Sequence, residues 1–321
     1  MKAAVYRRYG PPEVVRVEEV PRPVPGATDL LVQVRATTVN RTDCGYRKAH
    51  PFFMRALTGL TRPRRTILGT EFAGVVETVG GGVTTYVPGD RVFGYLEGRF
   101  GAHAEYLTVP EDASVGVIPD RLSFEQAAAG TEGAHYALTD LEAAGIGAGS
   151  VVLVYGATGA IGSAAVQLTK SAGAEVTAVC SAEHVGLVEA LGADRVVDRS
   201  KVDFTKDERC YDVVFDAVGK TSFPACRPLL KPHGVFMSTD FGPFPWNPSW
   251  ALLGRFSKGQ RVLIPYPKHN REIVARLRDE MVSGAFTPVL DEHRFTLAEI
   301  VDAYRYVETG QKIGNVVIEV A

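Results

Sequence analysis

The chain has 321 residues, 45% of them hydrophobic and 22% charged, which is the size of about two domains with a large buried core. Its formal net charge of -2 excludes a general attraction to nucleic acid or to an anionic membrane surface. The four cysteines are scattered, and the N-terminus lacks the apolar region of a secretion signal. We therefore expect a cytoplasmic protein without a disulfide framework or a Cys-rich zinc site.

The first third of the chain carries many β-strand and turn signals. Runs in which apolar and polar residues alternate, or in which β-branched residues dominate, predict strands at 30–39, 74–79, 91–93 and 103–109. The tripeptide Pro88-Gly89-Asp90 predicts a turn between the second and third of these strands. Short strands at this spacing predict a compact, barrel-like β domain.

The pattern changes at Ser123, which is a suitable N-cap for a helix. A second helix is predicted at 133–144, and strands then alternate with helices. The predicted strands are 151–155, 175–179, 195–197, 213–216, 234–238 and 261–264. Alternation at this period predicts a doubly wound parallel sheet, as in a Rossmann domain.

The C-terminal segment returns to a mixed pattern. Helices are predicted at 273–283 and 297–309, and a last strand at 315–320 is placed to pair back into the N-terminal domain. The prediction is therefore an α/β protein with two domains. Residues 1–122 and 272–321 form the β-rich catalytic domain, and residues 123–271 form the nucleotide-binding domain.

One uncharged stretch, residues 143–169, is long enough to span a bilayer. It also contains six glycines together with Ser, Thr and Gln. A buried parallel strand followed by a packed helix explains this composition better than a membrane span does.

The segment 156–162 reads Gly-Ala-Thr-Gly-Ala-Ile-Gly and lies between a predicted strand and a predicted helix. A glycine turn in this context presents a helix N-terminus to a pyrophosphate. Relative to the G-x-G-x-x-G fingerprint, Ala157 replaces the first glycine, whereas Gly159 and Gly162 keep the other two. The predicted cofactor contacts are Gly156, Ala157, Thr158, Gly159, Ala160 and Ile161. The alternative is a purely structural strand–turn–helix.

The end of the second strand distinguishes NAD sites from NADP sites, because an acidic residue there holds the ribose 2′-OH of NAD. This chain has Cys180-Ser181-Ala182 at that point. Ser181 can donate a hydrogen bond to a 2′-phosphate, and Arg199 supplies a cation, so we predict NADPH as the cofactor. His184 is a further candidate, and a solvated polar loop is the alternative for these residues.

Small and polar residues follow the fourth and fifth strands of the predicted sheet. Ala217 and Val218 leave room for the nicotinamide ribose, and Ser238 and Thr239 are placed to line the nicotinamide face. Ordinary strand-to-loop turns are the alternative for each of these residues.

Motifs along nearly the whole chain resemble the medium-chain dehydrogenase/reductase superfamily, and more narrowly its zinc-free quinone oxidoreductase (zeta-crystallin-like) branch. They are Val39-Asn40-Arg41-Thr42-Asp43, Ile67-Leu68-Gly69-Thr70-Glu71-Phe72-Ala73-Gly74, Val87-Pro88-Gly89-Asp90-Arg91-Val92, the glycine turn, Leu191-Gly192-Ala193-Asp194 and Gly314-Asn315-Val316-Val317. The resemblance implies a GroES-like β-barrel catalytic domain built from both termini, a Rossmann domain, and a dimer or tetramer, of which we expect the homodimer.

Zinc-dependent members of the superfamily carry ligands that this chain lacks. Asn40 stands where they carry a cysteine, Thr70 replaces the histidine of their Gly-His-Glu motif, and Gly130 or Thr131 stands where they carry the third ligand. Residues 93–103 contain no cysteine, so the structural zinc lobe is absent. Glu71 alone cannot build a tetrahedral zinc site, and we expect no bound metal.

Without a metal to polarise an alcohol or carbonyl oxygen, reduction of a quinone or of a conjugated C=C remains feasible. Tyr46 is the candidate hydrogen-bond donor to the developing oxyanion, and Asn40 and Thr131 are candidates to orient nicotinamide or substrate. A packing role is equally open for Tyr46. The expected substrate is a small apolar quinone or α,β-unsaturated carbonyl. The alternatives are a metal-independent carbonyl or alcohol dehydrogenase, and a nucleotide-binding protein with little turnover.

Three further expectations concern the substrate side. Arg47 is a candidate to bind an anionic group. The apolar segment 50–60 forms either a lid or a small helix that closes the β domain. On the side of the substrate opposite to segment 50–60, the aromatic residues that could line the site are Phe241, Phe244 and Trp246.

Overall fold

The structure is a computed structural model that describes residues 1–50, 52, 54–96, 98–239, 249–251, 259–265 and 271–320. The chain divides into two compact units. Unit 1 comprises Met1–Glu132, His269–Val282 and Pro288–Ala321, and unit 2 comprises Gly133–Lys268 and Ser283–Thr287.

The described residues form strands and helices in the following order. The strands are β1 (Lys2–Tyr6), β2 (Val15–Glu19), β3 (Asp29–Val39), β4 (Glu71–Val79), β5 (Arg91–Tyr95), β6 (Tyr106–Pro110), β7 (Val115–Val117), β8 (Val151–Tyr155), β9 (Glu175–Cys180), β10 (Arg195–Asp198), β11 (Tyr211–Asp216), β12 (Leu230–Ser238), β13 (Arg261–Leu263), β14 (Phe295–Thr296) and β15 (Val316–Glu319). The helices are α1 (Arg41–Lys48), α2 (Met54–Thr58), α3 (Phe124–Ala129), α4 (Glu132–Ala144), α5 (Ala160–Ser171), α6 (Val185–Ala190), α7 (Phe223–Cys226), α8 (Arg271–Ser283) and α9 (Ile300–Thr309).

Unit 1 is built around one long strand, β3. Its sheet has the order β14-β15-β3-β4-β5-β7, β6 also pairs with β3, and β1 and β2 form a separate two-stranded sheet. The C-terminal strand β15 runs antiparallel to β3, with Val316 opposite Val39, which confirms that the chain end pairs back into the N-terminal domain. This is the predicted GroES-like β architecture.

The apolar periodicity of unit 1 explains its two cores. Along β3, Leu30, Val32 and Val34 alternate with more exposed neighbours and are completely buried. In α9, the buried residues follow the helical spacing of one face and pack under β15. These residues are Ile300, Ala303, Tyr304 and Val307.

Unit 2 contains the predicted doubly wound parallel sheet, in the order β10-β9-β8-β11-β12-β13. Its central strand β8 is a continuous apolar run in which Val152, Leu153 and Val154 are completely buried, as expected for a sheet that helices cover. The strand order reverses beside β8, where β9 lies on one side and β11 on the other. Ligands of such sheets bind at the carboxyl ends of the strands at this switch point.

The uncharged stretch contains the end of α4, then β8, then most of α5, so the membrane alternative is wrong. Within the part of the chain that the structure describes, no helix is both long enough and apolar enough to cross a bilayer.

Two of the differences from the sequence prediction have a physical reason. Helix α1 was not predicted, because its residues are mostly polar and include Gly45. Strand β12 begins at Leu230 rather than at residue 234. Pro232 indicates a break, but the register between β11 and β12 shifts there, and this irregularity accommodates the proline within the strand.

Candidate active site and cofactor site

The glycine turn in unit 2 is narrow, and two of its glycines are required by close contacts. Gly156 has a φ of +84°, and a Cβ atom there would lie 2.5 Å from Cγ1 of Val218. A Cβ atom on Gly162 would lie 2.1 Å from the carbonyl oxygen of Gly156. Gly162 therefore lets α5 pack directly on the turn, whereas Gly156 supplies a backbone conformation that other residues rarely adopt.

The turn ends at an open helix N-terminus. Gly159 is the N-cap of α5 and has no side chain that could satisfy the first backbone N–H groups of the helix. Ala157 is buried, and its N–H donates to the carbonyl of Val179, which fixes the turn against β9. Thr158, Ala160 and Ile161 are half-buried beside it. These unsatisfied donors and the helix dipole suit a pyrophosphate.

A cavity of about 490 Å³ lies at the ends of β9 and β10 in unit 2. Its lining residues are Tyr155, Ser181, Arg199, Ser200, Lys201, Val202, Asp203 and Phe204. The Nε–H of Arg199 donates to Oγ of Ser181 at 3.0 Å, so the two residues predicted to bind a 2′-phosphate lie together. Among the described residues, the terminal nitrogens of Arg199 donate no hydrogen bond to protein. The cavity therefore offers a cation and hydroxyl groups to an anion.

The other candidate, His184, is not part of this cavity lining. Its Nε2 lies 3.3 Å from Oε1 of Glu183, its neighbour in the chain.

The side chain of Asp216 holds the loop that follows β11, and backbone hydrogen bonds join the carboxyl ends of β8, β11 and β12. The buried carboxyl of Asp216 accepts the backbone N–H of Val218 at 3.1 Å and that of Thr221 at 2.8 Å. Burial raises the pKa of Asp216. The N–H of Ala217 donates to the carbonyl of Tyr155 at 3.0 Å, and the N–H of Thr239 donates to the carbonyl of Asp216 at 3.2 Å.

Of the residues predicted at this edge, Ala217, Val218, Ser238 and Thr239 thus lie on the adjacent strand ends β11 and β12. Phe241, Phe244 and Trp246 lie outside the described residues, as do Pro51 and Phe53 of the proposed lid.

Unit 1 contains a polar centre, which is the group of hydrogen-bonded side chains around Asn40. Asn40 is the N-cap of α1: its Oδ1 accepts the N–H of Asp43 at 2.9 Å, and the Asp43 carboxylate accepts the N–H of Asn40. Asp43 is completely buried and also accepts the N–H of Gly69 at 2.9 Å. Burial raises the pKa of Asp43 to about 7. Asp43 therefore has a structural role at the start of α1.

The side-chain amide of Asn40 also joins a network around Glu132, the first residue of α4. Its Nδ2 donates to Oε2 of Glu132 and lies 2.7 Å from Oγ1 of Thr70. The hydroxyl of Thr70 is 2.7 Å from the same carboxyl oxygen, and that of Thr42 is 2.5 Å from Oε1. The two positions at which zinc members carry Cys and His therefore contact the carboxyl of Glu132.

Thr131, the third predicted catalytic residue, is completely buried and donates its hydroxyl to Oε2 of Glu71 at 2.7 Å. The same oxygen accepts the backbone N–H of Glu132 at 2.7 Å, and Oε1 accepts the hydroxyl of Thr38. Glu71 thus caps the N-terminus of α4 from a neighbouring strand. The hydroxyl of Thr131 thus holds Glu71 in this position.

Tyr46 and Arg47 both contact other side chains of unit 1. The ring of Tyr46 lies 4.5 Å from the ring of Phe100. Arg47 is completely buried, stacks over Tyr304, and donates to the carbonyl of Gly10 and to the carboxylate of Glu308. The expectation that Arg47 binds an anionic ligand is wrong, because its charge is neutralised inside the unit.

The apolar segment 50–60 contains α2, so the structure favours a small helix over a lid. The hydroxyl of Tyr9 bonds Oγ1 of Thr58 at 2.7 Å and donates to the carbonyl of Gly59 at 2.8 Å. These contacts attach the end of the helix to unit 1.

The residues present fit a dinucleotide but not the zinc of the metal-dependent relatives. The narrow turn, the open helix end and the Ser181–Arg199 cavity match the chemistry of a phosphorylated dinucleotide. At the three former ligand positions, Asn40, Thr70 and Thr131 offer an amide and two hydroxyls, which are poor zinc ligands. Among the described residues, no three His, Cys, Asp or Glu side chains are grouped to hold a metal ion.

Sequence reasoning missed Glu132 because it considered only Gly130 and Thr131 at the third ligand position. The sequence does contain a weak indication that Glu132 is part of the site. Glu132 begins a helix whose next residues are mostly apolar, and a carboxyl at such a place is either exposed or part of a buried polar network.

Comparison with known proteins agrees with this geometry. Residues 26–120 match the model of the alcohol dehydrogenase GroES-like domain, and residues 191–318 match that of a zinc-binding dehydrogenase. The chain is 32% identical over 329 residues to 2-methylene-furan-3-one reductase of Solanum lycopersicum, with 99% of this chain and 79% of that protein covered. It is 30% identical over 330 residues to the chloroplastic NADPH-dependent alkenal/one oxidoreductase of Arabidopsis thaliana, with the same coverage.

Among solved structures, the quinone oxidoreductase from Coxiella burnetii matches with a TM-score of 0.89 at 26% identity, covering 100% of this chain and 99% of that one. A GroES-like unit followed by a Rossmann unit with a glycine turn defines a nicotinamide-dependent oxidoreductase. The chain belongs to the medium-chain dehydrogenase/reductase superfamily, in its zinc-free quinone oxidoreductase branch.

Proposed function

We propose that this protein is an NADPH-dependent reductase of quinones or α,β-unsaturated carbonyls. The observation that carries the proposal is the cavity in which Arg199 donates to Ser181, with no acidic residue at the end of β9 to hold an unphosphorylated ribose. The relatives named as an NADPH-dependent alkenal/one oxidoreductase and as a quinone oxidoreductase support it.

In the proposed complex, the N–H groups at the start of α5 bind the pyrophosphate, and Ser181 and Arg199 bind the 2′-phosphate. Ala217, Val218, Ser238 and Thr239 line the nicotinamide half of the site. Bound NADPH supplies a hydride to the substrate.

The substrate side is formed by groups of unit 1. Asn40 orients the nicotinamide or the substrate, and Thr131 supports the same polar centre by holding Glu71 at the N-terminus of α4. Tyr46 remains a proposed hydrogen-bond donor, although its contact with Phe100 also suits a packing role. The hydroxyl and amide character of the former zinc positions favours reduction of C=C bonds and quinones over alcohol oxidation.

The test is oxidation of NADPH and NADH, followed by absorbance, with a panel of one quinone, one enone and one saturated aldehyde. We expect turnover of the quinone or the enone with NADPH and little turnover of the aldehyde. Preferred reduction of the aldehyde would favour a metal-independent carbonyl or alcohol dehydrogenase. Binding of NADPH without any turnover would favour a nucleotide-binding protein.

Removal of metal ions tests the substrate chemistry separately. Dialysis against a strong chelator is expected to leave kcat within about twofold of its initial value, because no step relies on a Lewis acid. Elemental analysis of the purified protein serves as the control. Stoichiometric zinc, lost together with activity and restored with it, would contradict the zinc-free assignment.

We further propose a cytoplasmic homodimer. Cys44, Cys180, Cys210 and Cys226 are free thiols, as expected in a reducing compartment. Dimers are common in this superfamily, and light scattering of the purified protein measures the assembly directly.

A further inference from the structure

We propose that Glu132 is the acid that protonates the reduced substrate. The inference deepens the proposed reductase function and rests on it. Asn40 and Thr70 stand at two positions where zinc-dependent relatives carry metal ligands, and both contact Oε2 of Glu132. Where a zinc-dependent relative holds a Lewis acid, this chain places a carboxyl group that can act as a Brønsted acid.

Glu132 and Glu71 form a buried carboxyl pair, and their hydrogen bonds differ. Glu71 accepts three donors: the hydroxyls of Thr38 and Thr131 and the first backbone N–H of α4. The backbone N–H cannot reverse its role, and the helix N-terminus stabilises an anion. The negative charge of the pair is thus more stable on Glu71 than on Glu132.

Glu132 has partners that tolerate its protonated form. The hydroxyls of Thr42 and Thr70 can accept as well as donate, so a proton on Oε1 of Glu132 is able to bond Thr42 Oγ1 across the 2.5 Å contact. The amide of Asn40 continues to donate to Oε2. Both carboxyl oxygens therefore remain satisfied when Glu132 carries a proton.

The surrounding charges also favour the protonated form of Glu132. Burial and the nearby carboxyls of Glu71 and Asp43 raise the pKa of Glu132 well above its usual range. Lys312 interacts with Glu132 and Glu71, but also with Asp291 and Arg41, and burial lowers its own pKa to about 8.

Access distinguishes the two carboxyls. The Glu132 residue is 6% exposed, whereas Glu71 is completely buried. Thr42, which contacts Oε1 of Glu132, is half-buried, and the adjacent Arg41 is exposed. A proton on Glu132 can therefore be exchanged with solvent through the half-buried hydroxyl of Thr42, whereas Thr38 and Thr131, the hydroxyl partners of Glu71, are both buried.

An enone is reduced and then protonated in the proposed reaction. Hydride supplied by bound NADPH forms a C–H bond at the β-carbon, the C=C electron pair moves toward the carbonyl, and an enolate and NADP⁺ result. The O–H bond of Glu132 then breaks, and its proton bonds to the enolate oxygen. Water reprotonates the Glu132 carboxylate through Thr42, and the released enol tautomerises to the saturated ketone.

The test compares Glu132→Gln with Glu142→Gln, a control on the exposed part of the same helix. The amide retains the shape and polarity of Glu132 but cannot give up a proton at neutral pH. We expect kcat of the parent to decline as the pH rises through the raised pKa of Glu132, because only the protonated carboxyl can donate a proton. Glu132→Gln is expected to abolish this decline and to lower kcat about 10²- to 10⁴-fold, with little change in KM or in NADPH affinity. Glu132→Asp, which retains an acid, is expected to recover part of the loss.

Infrared difference spectroscopy supplies a readout that does not depend on turnover. The free protein is expected to show the carbonyl bands of several protonated buried carboxyls, because burial also raises the pKa of Asp43 to about 7 and that of Asp140 to about 8. The component that belongs to Glu132 is expected to remain in Glu142→Gln and to disappear in Glu132→Gln. If Glu132→Gln unfolds, the band and pH profile of Glu132→Asp decide the assignment. An unchanged set of carbonyl bands in Glu132→Gln, or turnover within about threefold of the parent, would overturn the role of Glu132. A parent protein that binds NADPH but reduces no quinone or enone would instead contradict the proposed function.

Discussion

Replacement of Arg199 with Gln is expected to lower kcat/KM for NADPH about 10- to 100-fold and to leave kcat/KM for NADH nearly unchanged. Arg199 donates through Nε to Ser181, and both residues line the cavity at the ends of β9 and β10. A guanidinium stabilises a 2′-phosphate through charge-assisted hydrogen bonds, and the 2′-hydroxyl of NADH carries no charge to stabilise.

The measurement is the ratio of kcat/KM for the two cofactors with one accepted substrate. Lys206→Gln is the matched control, because it removes a nearby exposed cation that does not line the cavity. Ser181→Asp is expected to shift the ratio toward NADH, since an acid at the end of β9 repels the phosphate and accepts from the 2′-hydroxyl. Equal losses with both cofactors in Arg199→Gln would show that the cavity does not bind the 2′-phosphate.

Replacement of Glu308 with Gln is expected to destabilise unit 1 by about 3 kcal/mol, because it leaves a completely buried arginine without its counter-charge. Arg47 is 0% exposed and the Glu308 side chain 20% exposed, so solvent screens this pair weakly. Lys48, 2.9 Å from Glu308, loses the same partner but is more exposed. Calorimetry of the full chain measures the change as a lower Tm.

The control for this prediction is Glu13→Gln, which removes one partner of the exposed ion pair with Arg305. Exposed pairs contribute little, so its Tm is expected to stay close to that of the parent. The double change Arg47→Met and Glu308→Gln is expected to recover part of the loss, because it removes both buried charges. Equal Tm values for Glu308→Gln and Glu13→Gln would contradict the structural role of Arg47.

The two sites were not equally predictable from the sequence. The residues of the cofactor site follow the ends of consecutive strands, so the alternation of strands and helices predicts that they converge. Gly156, Gly162 and Val218 meet for that reason, and so do Ser181 and Arg199. Local patterns are sufficient here, because the geometry of a parallel sheet supplies the long-range contacts.

No comparable rule predicts the contacts in the polar centre of unit 1. Asn40 meets Thr70 over a separation of 30 residues and Glu132 over 92, through the packing of strands and helices whose register the sequence does not state. Arg47 illustrates the same limit, since its partner Glu308 is 261 residues away. A polar motif such as Asn40-x-x-Asp43 predicts a helix cap, and that capping box was the available signal for α1.

The central claim is that hydride adds to a conjugated C=C bond, and the position of the transferred hydrogen tests it most directly. The enone is reduced with NADPH that carries deuterium at the hydride-donating carbon, and the product is analysed by NMR. We predict a saturated ketone with deuterium on the β-carbon. An allylic alcohol with deuterium on the carbinol carbon would contradict this account and indicate a carbonyl reductase.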